Sequence, residues 1–127
     1  MKNEKSSLRP LPPTLRGKKR YILFHLESEK RLGKEEVFHA LRKNFLNILG
    51  QAGYAEARIK PILFDEKSGF GVFLCGHKFT EKTVAALLFL KEVNGQKVLP
   101  QTLSSSGSLK KLKAKAESMV SAGRAKH

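Results

Sequence analysis

Hydrophobic positions in this chain fall into short clusters separated by polar breaks, and the spacing inside each cluster predicts the element it forms. Residues 20–26 read Arg-Tyr-Ile-Leu-Phe-His-Leu, a run of aromatic and branched side chains that predicts a strand. Over residues 33–49, Val37, Leu41, Phe45 and Ile48 follow spacings of four, four and three, which is one face of a helix; Phe38 and Leu49 widen it. Glu35 and Glu36 stand in the first turn, where the helix dipole favours acids, and Gly50 predicts a left-handed cap. Residues 55–64 predict a second strand. Pro61 cannot donate to a ladder, so that strand belongs at an edge or bends at the proline. The turn Asp65-Glu66-Lys67-Ser68-Gly69 and the apolar run 70–75 complete a hairpin. Thr80 caps a helix over 80–93, with Glu81 in its first turn, a stripe of Val84, Leu87 and Leu88, and Asn94-Gly95 as its stop. Residues 97–103 predict a fourth strand, again near an edge because of Pro100. A serine-rich link then leads to a third helix, on which Leu109, Leu112, Ala116, Met119 and Val120 share a face.

The order βαββαβ with an added C-terminal helix predicts an α+β fold of the ferredoxin-like type shared by RNA-recognition (RRM-like) domains. In that arrangement a four-stranded antiparallel sheet carries both main helices on one face. The chain divides into a basic, proline-rich leader over 1–19, a folded domain over 20–120, and a short basic tail over 121–127. Its 127 residues suit one ordinary domain.

Charge changes the picture most. There are 25 Lys and Arg against 11 Asp and Glu, a net of +14. Residues 1–20 hold seven basic side chains and one Glu, and residues 110–127 hold six and one; the 89 between them hold twelve and nine. A nearly neutral body with two basic ends is the electrostatic footprint of a polyanion binder, whereas a surface kept merely soluble interleaves both signs. The longest apolar run, residues 84–90, is far short of the ~20 residues a spanning helix needs. The first residues lack an apolar signal core, and no lipidation motif is present, so a cytoplasmic protein without membrane attachment is expected. A single cysteine, Cys75, excludes an internal disulfide and any multi-cysteine metal site.

No catalytic constellation emerges, and neither a metal site nor a protein-bound cofactor is expected. Glu35-Glu36 and Asp65-Glu66 are adjacent pairs, and adjacent helical residues point ~100° apart, so they read as solvated charges. Cys75 and His77 stand two apart near a strand end and read as a core thiol and a surface histidine. Gly69-Phe70-Gly71 matches the start of the RNP1 strand of RNA-recognition motifs, yet Ser68, Val72 and Cys75 depart from it. Tyr21 and Phe70 either stack on bases from an open sheet face or pack in the core or against a partner, and the departures favour packing.

The chain ends carry the stronger case. Arg9, Arg16, Lys18, Lys19 and Arg20 lead into the first strand, which fixes their position for gripping phosphates. Lys110, Lys111, Lys113 and Lys115 lie in the first turns of the third helix, and Ser106-Gly107-Ser108 sets hydroxyls and backbone N–H groups at its start. That arrangement suits a phosphate oxygen; it is also an ordinary helix cap, and the two roles are compatible.

Taken in order, these segments resemble the archaeal ribonuclease P protein component 2 family, homologous to a subunit of eukaryotic RNase P/MRP. The resemblance is carried by Leu8-Arg9-Pro10-Leu11-Pro12-Pro13-Thr14-Leu15-Arg16, Lys18-Lys19-Arg20-Tyr21-Ile22, Phe64-Asp65-Glu66 and Gly71-Val72-Phe73-Leu74-Cys75. It continues through Val84-Ala85-Ala86-Leu87, Asn94-Gly95, Pro100, Thr102-Leu103 and Ser106-Gly107-Ser108-Leu109-Lys110. Ser108 stands where the family usually has threonine, keeping the hydroxyl, and His77 where arginine is common. The resemblance implies a ferredoxin-like fold and a noncatalytic subunit of the RNA enzyme that removes 5′ leaders from precursor tRNA. The RNA, with Mg2+, would perform the hydrolysis, and the chain would meet precursor tRNA through the holoenzyme. It also implies pairing with ribonuclease P protein component 3 and self-association, with Leu11, Tyr21 and Phe70 as candidate protein contacts. A ribosomal or other structural RNA-binding protein is the alternative, and a small nuclease or acyl-transfer enzyme a third class.

Overall fold

The computed structural model describes residues 18–121. Strand β1 (Lys19–Glu27) is followed by helix α1 (Lys34–Ala57), then by the hairpin of β2 (Lys60–Phe64) and β3 (Phe70–Gly76). A 3-10 turn (His77–Phe79) precedes helix α2 (Thr80–Leu87). A two-strand hairpin, β4 (Glu92–Val93) and β5 (Gln96–Lys97), then leads to β6 (Leu99–Ser106) and helix α3 (Leu109–Ser121). The main sheet has the order β2-β3-β1-β6, and every pairing in it is antiparallel. This is the ferredoxin-like arrangement.

The two central strands are buried on both faces, which is why β1 and β3 read as nearly continuous apolar runs. Ile22, Phe24, Leu26, Phe73 and Cys75 face α1 and α2 and join Val37, Leu41, Phe45 and Leu87 in the larger core. Rings fill it: Phe73 lies 5.6 Å from Phe24 and 5.3 Å from Phe45, centroid to centroid. Leu23, Phe70 and Val72 face the opposite side and form a second, smaller core with Leu112 of α3. Among the described residues the domain therefore has three layers, with α3 covering the second face.

The two described prolines sit where the backbone rule places them. Pro61 lies on edge strand β2, and the register slips between Pro61 and Leu63; Pro100 lies on the other edge strand, β6. Several expectations need correction. Gly50 interrupts α1 at φ 76, ψ 169, a glycine-specific conformation rather than a left-handed cap, and helix resumes through Ala57. The strand expected over 55–64 accordingly begins only at Lys60. Ile48 stays 45 % exposed, since periodicity fixes a helix's face but not how far along it the sheet provides cover.

Helix α2 is also shorter than expected, and Leu88 beyond its end is 57 % exposed. Thr80 is its first residue rather than its cap, and its hydroxyl donates to the His77 carbonyl at 2.9 Å. Asn94 (φ 50) and Gly95 (φ 83) form the bend of the β4–β5 hairpin. Asn-Gly signals both a helix stop and a two-residue hairpin turn with two positive φ angles, and the second use operates here. The fourth main strand runs from Leu99 to Ser106, so Ser104, Ser105 and Ser106 are strand residues paired with Leu23, Ile22 and Tyr21.

Candidate nucleic-acid interface

The strand order makes β1 and β6 neighbours, and their antiparallel register sets Tyr21 opposite Ser106. The segment entering β1 and the segment leaving β6 thus lie at one end of the sheet, although Tyr21 and Ser106 stand 85 positions apart. Lys18 and Lys19 are exposed there, and Arg20 is half-buried. Arg9, Leu11 and Arg16 fall outside the described residues.

Neighbouring serines on β6 point to opposite faces of the sheet, and each meets a cation. The Arg20 guanidinium donates to the Ser105 hydroxyl at 3.2 Å, and the Lys115 ammonium to Ser104 at 3.5 Å. Arg20 shares a face with Ile22 and hence with the larger core; Lys115 approaches from α3. The two cations straddle the end of the edge strand.

The Ser106-Gly107-Ser108 element shapes the start of α3. The Ser108 amide donates to the Ser106 hydroxyl at 3.0 Å, and the Lys111 amide donates to the Ser108 hydroxyl at 3.3 Å, an N-cap bond. Helix geometry leaves the amides of Leu109 and Lys110 without an intrahelical acceptor. Lys110 and Lys111 are exposed beside them, and the first turn holds no acid. Cations at this position oppose the helix dipole at a cost of about 0.3–1 kcal/mol each, a penalty that a bound phosphate removes.

Lys113 projects to the other side of α3. There a groove of about 540 Å³ runs between the helix and the β2–β3 half of the sheet, lined by Leu23, Leu63, Phe70, Val72, Ala116 and Val120 together with Lys113 and Glu117. Phe70 is 3 % exposed and Tyr21 half-buried, and both belong to the second core. For Phe70 the packing reading holds, so it is a core side chain rather than a surface contact.

Three further basic residues, absent from the sequence expectations, come to the same end. Lys60 opens β2, paired with Leu74, which is in turn paired with Tyr21. A Cβ added at Gly76 would stand 3.5 Å from the Ala57 carbonyl, so Arg58 lies beside the end of β3. Lys78 sits in the 3-10 turn directly after β3, anchored where the His77 amide donates to the Lys18 carbonyl at 2.6 Å. Only the strand order brings Arg58 and Lys60, two apart in sequence, together with Lys78 and the chain-end cations. Cys75 lies under this region, its thiol pushed up by burial and drawn partly back by hydrogen bonds from Thr80 and Thr83 and by the Arg20 charge. Among the described residues no group of three or more His, Cys, Asp or Glu could hold a metal ion, and no helix is long and apolar enough to cross a membrane.

Comparison with known proteins gives a consistent answer. The sequence profile of the Rpp14/Pop5 family matches residues 20–117. A Thermococcus kodakarensis protein named ribonuclease P protein component 2 is 44% identical over 105 residues, covering 83% of this chain and 88% of that one. The protein of the same name from Archaeoglobus fulgidus is 32% identical over 108 residues, covering 85% and 96%. Among solved structures, a chain of yeast ribonuclease MRP shares the fold with a TM-score of 0.52 at 12% identity, covering 83% of this chain and 95% of that one.

Proposed function

The chain belongs to the Rpp14/Pop5 family, and from that premise we propose that it is a noncatalytic protein subunit of ribonuclease P that binds and stabilises the catalytic RNA. The observation that carries the RNA-binding reading is the pairing of Tyr21 with Ser106, which brings the basic entry to β1 (Lys18, Lys19, Arg20) and the basic start of α3 (Lys110, Lys111) to one end of the sheet. Cations held there screen the repulsion between phosphates and let RNA helices pack closely. Backbone amides and hydroxyls at the start of α3 add directional donors for phosphate oxygens. The RNA, with Mg2+, carries out the hydrolysis that releases the 5′ leader of precursor tRNA. The chain meets that substrate within the holoenzyme, where it pairs with component 3 and self-associates.

Reconstitution with ribonuclease P RNA at limiting magnesium, with and without this chain, tests the role. Adding the chain, together with its protein partner, is expected to lower the magnesium concentration needed for leader removal. Leader removal by the protein without RNA would overturn the noncatalytic assignment. Copurification with ribosomal subunits in place of ribonuclease P RNA would overturn the subunit assignment.

A further inference from the structure

Resting on the RNA-binding reading, we infer that the phosphate-binding surface continues beyond the two chain ends, across the whole basic end of the sheet, through Arg58, Lys60 and Lys78. One row of the register runs from Lys60 through Leu74 and Tyr21 to Ser106, so the two edges of the sheet are level at this end. Four strands at ~4.8 Å spacing make the row ~14 Å wide. Lys110 and Lys111 stand at its β6 side and Lys60 at its β2 side. Arg58 and Lys78 bracket the end of β3 between them, next to Lys18 and Lys19. Arg58, Lys60 and Lys78 are all exposed.

Arg58 has a partial structural explanation, because a cation at the C-terminal end of α1 complements the helix dipole. It nevertheless occupies a left-handed conformation (φ 56) that costs a non-glycine residue about 1 kcal/mol. Lys60, at the mouth of an edge strand, also discourages edge pairing, whereas Lys78, in a surface turn, answers no such structural need. An extended row of cations holds backbone and not sequence, so its ligand is a run of RNA phosphates.

The test is the salt dependence of binding to ribonuclease P RNA. Each lost phosphate contact lowers the log–log slope by ~0.7–0.9. Arg58→Asn/Lys60→Ala/Lys78→Ala, with asparagine chosen because it tolerates the left-handed backbone, is expected to lower the slope by about two. Lys60→Arg is expected to keep the parental slope. Lys30→Ala/Lys67→Ala, at the opposite end of the sheet, is expected to leave it unchanged. If the first variant fails to fold, Lys60→Ala alone reads the same surface as a fall of ~0.7–0.9. An unchanged slope in Lys60→Ala and the triple variant, beside a fall in Lys110→Ala/Lys111→Ala/Lys113→Ala, would confine the surface to the chain ends and overturn the inference. An equal fall in the Lys30/Lys67 variant would overturn it as well, by showing no preferred end. No change in any variant would bring down the RNA-binding reading itself.

Discussion

At the end of the sheet where Glu27, Phe64 and Phe70 lie, acidic side chains serve the fold. The Glu66 carboxylate accepts from the Lys34 amide at 2.7 Å and Glu36 from the Gly33 amide at 3.2 Å, both at the N-terminus of α1. Asp65 accepts from the Ser68 hydroxyl at 2.6 Å inside the hairpin turn. At the opposite end, marked by Lys19, Lys60 and Ser106, cations outnumber the acids Glu56 and Glu81, and two of them occupy the first turn of α3 against its dipole. The acids at the start of α1 follow the rules of helix stability, as do Arg58 and Glu81 at the basic end, whereas Lys110 and Lys111 break them. A local rule broken with no compensating contact among the described residues points outward, to a ligand that supplies the missing charge.

The contrast is broken most directly by reversing charge at the basic end. Lys110→Glu/Lys111→Glu places acids where the dipole of α3 wants them, so thermal stability is expected to rise by about 0.3–1 kcal/mol per site. RNA affinity is expected to collapse, because two attractions become repulsions and the slope of log K against log salt falls by at least ~1.4–1.8. A melting curve and a binding titration on one sample check both. A variant that lost stability and kept its affinity would show that these lysines serve the fold.

The second prediction concerns the acidic end. Gly69 closes the hairpin turn at φ 81, and an added Cβ would stand 2.7 Å from the Leu26 carbonyl oxygen. The Gly69 carbonyl in turn accepts from the Leu26 amide at 2.9 Å, joining the turn to β1. Gly69→Ala is expected to cost about 1–3 kcal/mol from strain at this conformation. Denaturant titration measures that loss. For protein that remains folded, the salt slope of RNA binding should match the parent, since no phosphate contact is removed. A changed slope would mean that the two ends are not independent.

Much of this architecture is legible in residue spacing, because burial imposes it directly. Val37, Leu41 and Phe45 show the buried face of α1, and Pro61 and Pro100 mark both edge strands through the donor each lacks. Where one signal has two physical meanings, spacing fails. Asn94-Gly95 ends a helix or turns a hairpin, and only the packing of Leu90, Val93 and Val98 into the larger core selects the hairpin. Residues 51–57 continue as helix beyond a glycine that ordinarily stops one. The interface is half legible for a similar reason. The basic chain ends stand out as charge runs, but Arg58, Lys60 and Lys78 join them only through strand order, a property of no local stretch.

The smallest expected effect tests whether the field of the basic end reaches into the core. Cys75 pairs with Arg20 across β1 and β3 and is fully buried beneath the cations. Burial raises its thiol above the ordinary value of 9.0; Thr80 and Thr83 lower it, and the Arg20 charge contributes last. A group whose pKa is raised on folding stabilises the native state below its unfolded value, and that contribution is lost as pH rises through the folded one. Cys75 should therefore add no pH dependence to stability from pH 6 to 8. Above pH 9 it should fall by up to about 1.4 kcal/mol per pH unit relative to Cys75→Ala, which has no thiol to ionise. Chemical denaturation of both proteins across this range measures the difference, and slow alkylation of native protein at pH 8 gives an independent check. Rapid alkylation there, with no divergence between the two proteins above pH 9, would mean that the surface cations outweigh desolvation. The basic end would then be an electrostatic feature of the core as well as of the surface.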